Sequence, residues 1–370
     1  MIWHNIFSPL GVSSLRRIVT VGLWAMLLSV VVAQTAAGET ADTVYVNARV
    51  YTVDEKRSWA EALAVSSGRI VAVGDRDAMT PYINAQTRII DLGGRMAMPG
   101  IHDAHTHLLM AGLKWTHECR LPPNVGPQAI VQALQQCAKD RPGDGWLVAG
   151  DFNPNVFGEA PLNRAFLDAA FPDRPVFLYE FSIHHALVNG KALALAGIGR
   201  DTPNPVNGEI RRNPVGGEAT GELVEMATAL VTRAIPPYAD SVHHEALEFA
   251  IKRCHEFGIT SLQEASGTRR LLELYRDFDR REALNLWVMT HIVWGSEKWG
   301  DASPAELDRL ISERAQFATE HIDTDAAKVW LDGAPLPPYF SEAAINPTTD
   351  RVEQKNLLVS TEDLAKVLKQ

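Results

Sequence analysis

The chain has 370 residues, 46% hydrophobic and 22% charged, with a formal net charge of −10. This is globular composition with length for two or three domains, not the profile of a disordered chain. The acidic balance, with no cluster of Lys and Arg, argues against a nucleic-acid or anionic-membrane partner.

At the N-terminus Arg16-Arg17 precede an apolar run from Ile18 to Ala33, and small residues follow at Thr35-Ala36-Ala37-Gly38. This layout predicts a secretory signal over residues 1–37, cleaved near Ala37, and an exported product, periplasmic or secreted. The run is short for a membrane span, which needs about 20 residues, so no stable membrane association is expected after cleavage. An uncleaved signal anchor is the alternative. Cleavage removes both arginines and takes the formal charge from −10 to −12.

From Ala41 to Met98 the chain reads as short strands: Thr43–Val46, Arg49–Val53, Ala62–Val65, Ile70–Val73, Arg88–Leu92 and Arg95–Met98. Ser67-Gly68 and Gly93-Gly94 supply turns between them. A small all-β unit is predicted over residues 38–98.

Met98-Pro-Gly-Ile-His-Asp-Ala-His-Thr-His107 follows, and it is the most informative stretch of the sequence. On a β-strand, residues two apart face the same way, so His105 and His107 share a face, with Asp103 on the same alternation. Two imidazoles held side by side on a rigid strand suit a divalent metal, which could polarise a carbonyl and acidify a water. The competing reading is a solvated polar strand end.

Between Leu108 and about Asp240, helical patterns (Gln128–Cys137, Pro161–Ala170, Lys191–Ala196, Glu222–Ile235) are interrupted by Pro/Gly/Asn tracts such as Asp201–Gly217. Residues 121–240 therefore read as an insertion that could cover a site. A strand-like Pro175–Tyr179 leads into His184-His185, which is either a substrate contact through His184 or a surface turn. Cys119 and Cys137 could bridge across a short loop in an exported protein, and Cys254 reads as a buried thiol. None of the three cysteines forms a Cys-x-x-Cys pair, so no thiolate zinc or redox motif is indicated.

Beyond the insertion, helices Val242–Glu256, Arg269–Phe278 and Pro304–Thr319 alternate with apolar strands Ile259–Glu264, Leu284–Val293 and Ala326–Leu331. That alternation implies a parallel sheet of four strands, counting the one that carries the His pair. Glu264 ends the second of these strands, where barrel sites sit, and His291 on the third faces either the lumen or the core. Lys328 lies within the apolar fourth strand, where an ammonium is costly to bury unless it snorkels out. Ser360 with Asp363 starts a last helix, which runs to Gln370 without a stop signal. A closed (β/α)₈ barrel typically takes ~250 residues, whereas 99–120 plus 241–370 suit four or five units, so a C-terminally truncated chain is expected.

These motifs, with Gly145-Trp-Leu-Val-Ala-Gly150, Asp173-Arg-Pro-Val-Phe-Leu178, His184-His-Ala-Leu-Val-Asn189, Gly258-Ile-Thr-Ser261 and Lys328-Val-Trp-Leu-Asp-Gly333, resemble the amidohydrolase superfamily, family 3, which includes N-substituted formamide deformylase-like enzymes. The resemblance runs from about Thr43 to the last residue. It implies a TIM-like (β/α)₈ barrel, about half of it present, with a small N-terminal β-sandwich domain and an inserted α/β segment. It implies hydrolysis of non-peptide carbon–nitrogen bonds in a small-molecule substrate, with linear amides expected, on one or two divalent metals, zinc expected. Esters or cyclic amides are alternative substrates, and a non-catalytic fragment or binding module is the alternative to an enzyme. His105 and His107 match the first two metal ligands, and Lys328 matches a lysine that is carboxylated in related enzymes. The other histidine ligands and the general-base aspartate are expected beyond residue 370. His184, His291 and Glu264 are candidates for substrate contact.

Overall fold

The computed structural model describes residues 40–157, 162–205, 208–294, 303–332, 335–336, 339–340, 345–346, 349–352, 357 and 359–369. It divides into two compact units, one ending at Pro99 and the other starting at Gly100. The expected signal segment lies outside the described residues.

The first unit contains β1 (Thr43–Val46), β2 (Arg49–Tyr51), β3 (Trp59–Ala60), β4 (Ala62–Ser66), β5 (Arg69–Gly74), β6 (Arg88–Asp91) and β7 (Met96–Ala97). They form one sheet ordered β5-β4-β1-β6 and a second ordered β3-β2-β7. Strict alternation in β4 buries Ala62 and Ala64 with Val44, Val46 and Met79. The β4–β5 turn sits on Ser67 and Gly68, with φ of 49° and 75°. Two successive positive φ values match the right-handed twist of a hairpin, and Gly supplies one of them without steric cost.

The second unit opens with β8 (Ile101–Thr106) and α1 (Leu108–Thr116). Next come α2 (Pro127–Asp140), β9 (Leu147–Phe152), α3 (Ala165–Ala170), β10 (Val176–Glu180), β11 (His185–Val188), α4 (Gly190–Leu195), β12 (Gly208–Arg212), β13 (Ala219–Glu225) and α5 (Ala227–Thr232). The chain then alternates α6 (Asp240–Glu256), β14 (Ile259–Gly267), α7 (Arg269–Arg280), β15 (Trp287–Trp294), α8 (Pro304–Glu313) and β16 (Ile322–Val329). A short α9 (Thr361–Val367) starts on Ser360, whose hydroxyl accepts the N–H of Asp363 as the sequence predicted.

Strands β8, β14, β15 and β16 pair in parallel in the order β16-β15-β14-β8, which are the four strands expected from the βα alternation. This is an α/β arrangement consistent with part of a TIM-barrel-like fold. Helix α6 buries Ala246, Leu247, Ala250, Ile251 and Cys254, a helical stripe. Leu247, Ile251 and Cys254 share a core with Leu262, Leu274, Tyr275, Phe278 and Val288. Gly112 lets α1 approach α6 closely, since a Cβ there would lie 2.1 Å from the Ala246 carbonyl oxygen.

The stretch from 121 to 240 differs from expectation. It forms a five-stranded sheet, β12-β13-β11-β10-β9. The helix expected over Glu222–Ile235 is in fact β13 followed by α5. All seven residues of β13 are buried between β11 and β12, and a run buried on both faces carries no period to tell strand from helix. Asp201–Gly217, expected to be irregular, contains β12 paired antiparallel to β13. The helix expected over Pro161–Ala170 starts at Ala165, and Pro161 lies outside the described residues. Cys119 and Cys137 form a disulfide, and Cys254 is a buried free thiol.

Candidate metal centre

His105 is the penultimate residue of β8, and His107 follows that strand directly. Their ring centroids are 5.5 Å apart and nearly perpendicular. Two imidazoles bound to one tetrahedral ion at Zn–N distances of about 2.0–2.1 Å have centroids about 5 Å apart. The observed spacing is compatible with a shared divalent ion.

Both rings line a cavity of about 980 Å³. Lys328, the seventh of eight residues in β16, lines it too, as do His184 and Glu264. His291, the fifth residue of β15, is half-buried and is not among the lining residues. It is still electrostatically coupled to the site. Desolvation first, and then the positive charge of Lys328, lower its pKa, partly offset by Glu264. Desolvation and Lys328 also lead in depressing His105, followed by His107 and His291. A ring that resists protonation keeps its lone pair for a metal.

Lys328 holds its Nζ 5.8 Å from the Trp330 ring centroid and is half-buried. The strand around it begins at Ile322, four residues earlier than predicted, so Lys328 stands near the strand's end rather than mid-run. Among the described residues, no group of three His, Cys, Asp or Glu is placed to hold an ion. Among the described residues the donor set is thus two imidazoles, with Lys328 lining the same cavity.

Asp103 stands on the same alternation as His105 and His107. It does not line the cavity, and its Oδ1 accepts the backbone N–H of His105 at 3.1 Å. Glu264 is 1% exposed, and its oxygens face four groups. Oε2 accepts from the Leu108 N–H (3.0 Å) and the Tyr275 hydroxyl (2.9 Å), and Oε1 from the Ser266 N–H (3.2 Å). Oε1 also lies 3.4 Å from Nδ1 of His107.

Residues from β10 and the turn after it also line the cavity: Tyr179, Phe181, Ser182, Ile183 and His184. His184 turns Nδ1 toward the Glu225 carboxylate, at 2.9 and 3.0 Å. Tyr179 donates to Glu118, and Lys114 pairs with Asp151. Burial pushes the Glu118 carboxyl and the Tyr179 phenol up. Glu118, Glu225 and Tyr275 were not anticipated from sequence, because each meets its partner only through tertiary contact.

The fold and cavity define an α/β protein with a TIM-barrel-like parallel sheet and paired histidines at one strand end. The chain belongs to the amidohydrolase family, whose model matches residues 88–361. It is 32% identical over 244 residues to the N-substituted formamide deformylase of Arthrobacter pascens, covering 64% of this chain and 45% of that one. It is 29% identical over 317 residues to the exoenzymes regulatory protein AepA of Pectobacterium carotovorum subsp. carotovorum, covering 83% of this chain and 67% of that one. The fold is also that of an uncharacterized metal-dependent hydrolase from Pyrococcus horikoshii OT3, with a TM-score of 0.63 and 20% identity over 88% of this chain and 62% of the other. The chain thus spans less than half the length of the deformylase.

Proposed function

We propose that the protein is a metal-dependent hydrolase of non-peptide carbon–nitrogen bonds, with linear amides as its substrate class. The observation that carries this reading is the pair His105–His107, 5.5 Å apart on a cavity wide enough for a small molecule. In this reading His105 and His107 hold a divalent ion, zinc by preference for nitrogen donors, and Lys328 joins them once carboxylated. Such an ion supplies Lewis-acid polarisation and an acidified water. The chain's own residues do the rest. Leu109, Met110 and Leu113 give the cavity an apolar wall against which a small substrate can pack. His184, held by Glu225, lines the same cavity and is placed to contact the substrate.

The relationship to a formamide deformylase supports amides over esters or cyclic amides. The Cys119–Cys137 disulfide supports export to an oxidising compartment after removal of residues 1–37. The test is amine release from a panel of N-substituted linear amides, with esters and cyclic amides alongside, using metal-loaded and chelated protein. Turnover of the amides by loaded protein alone is expected, and preferential cleavage of esters or cyclic amides counts against the substrate class.

A second reading is a non-catalytic module, favoured by the likeness to a regulatory protein over 317 residues. It predicts metal uptake with no turnover of any member of the panel.

A further inference from the structure

Glu264 is placed to decide which nitrogen of His107 is available to a ligand. Its carboxylate is 1% exposed and fixed by three donors from three places: the first residue of α1, the end of β14 and Tyr275 on α7. Tyr275 is fully buried, and its hydroxyl donates to Oε2. Burial and the nearby carboxylate push the Tyr275 phenol well up, so it remains a donor. The Leu108 N–H belongs to the first turn of α1, whose N-cap His107 makes no side-chain capping bond. An anion from the neighbouring strand therefore satisfies that helix start. With Oε2 taken by two donors, Oε1 is the oxygen presented to Nδ1 of His107, at 3.4 Å.

We infer that Glu264 is a positioning residue: it holds His107 as the Nδ1–H tautomer, so that Nε2 is the nitrogen offered to the cavity. The inference rests on the Proposed function only for the identity of what Nε2 meets. The 3.4 Å approach is electrostatic rather than a formed hydrogen bond; a carboxylate only accepts, so the ring nitrogen facing it is the one its charge favours as the proton carrier. Histidine ligands of metals are commonly fixed by a second partner in this way. Glu264 also lines the cavity, and its four neighbours point to this positioning role.

The E264Q substitution sharpens the test. Two donors, Leu108 and Tyr275, favour the amide oxygen at the Oε2 position over the single Ser266 N–H at Oε1, which puts the amide NH₂ against Nδ1. That group donates, so it favours the opposite tautomer. The experiment is ¹⁵N NMR of ring-labelled histidine in the 370-residue chain near pH 8, with His107 assigned by its loss in H107N. The wild type and Y275F are expected to show Nδ1–H, and E264Q to move His107 toward Nε2–H. Zinc affinity, read by chelator competition, is expected to fall about 10- to 100-fold in E264Q. A wild-type His107 found mainly as Nε2–H overturns the inference, whether or not E264Q folds. So does an E264Q protein with unchanged tautomer and unchanged zinc affinity. Wild type that shows Nδ1–H but takes up no metal supports this inference while contradicting the Proposed function.

Discussion

Nδ1 of His184 lies 2.9 Å from one oxygen of Glu225 and 3.0 Å from the other, and the carboxylate is nearly buried. The two residues come from different parts of the five-stranded sheet: Glu225 ends β13, and His184 precedes β11. Hydrogen bonds to charged groups contribute about 1.5–3 kcal/mol each, so E225Q should destabilise the fold by about that amount. A double-mutant cycle with H184Q, read by urea unfolding, should show coupling between the two sites. Strict additivity would remove the pair from the account of the cavity wall.

Gly112 sits where α1 meets α6, with no room for a side chain. G112A should cost about 1–3 kcal/mol by overpacking against the Ala246 carbonyl. Helix propensity alone predicts the reverse, a gain of about 1 kcal/mol. The sign of the change in urea midpoint decides between them.

The sequence made the barrel-type strands legible because each is a short apolar run between amphipathic helices. The His105–His107 pair was legible because a spacing of two has one meaning on a strand. Its surroundings were not. Asp103 follows the same alternation, yet its side chain bonds back to the His105 N–H. Tyr275 occupies a core position of an amphipathic helix, where nothing marks it as the partner of Glu264. In the five-stranded sheet, β13 lacked the alternation that would separate it from a helix.

The Cys119–Cys137 disulfide closes a loop of 18 residues, linking the end of the α1 region to α2. On the chain-entropy model, a loop of that size contributes about 3 kcal/mol. A C119A/C137A variant, or reduction, should therefore lower the melting temperature clearly. An unchanged melt would mean the bridge does not form.

His105, His243 and His291 all have pKa values depressed chiefly by desolvation. The unfolded chain takes up protons near the ordinary imidazole value of about 6.5, where the folded chain does not. Their contribution to stability is therefore full above that pH and is lost as pH falls through the depressed folded values. Urea midpoints should decline between about pH 7 and pH 5.5, and H291N should flatten the decline. Stability that rises on acidification over this range would contradict the assignment.

The most direct test of the metal centre is elemental analysis of the purified 370-residue chain beside an H105N/H107N variant of matched secondary structure. The expected result is a stoichiometric divalent ion in the wild type and its loss from the variant. An ion absent from the wild type after zinc loading, or retained by the double variant, contradicts it.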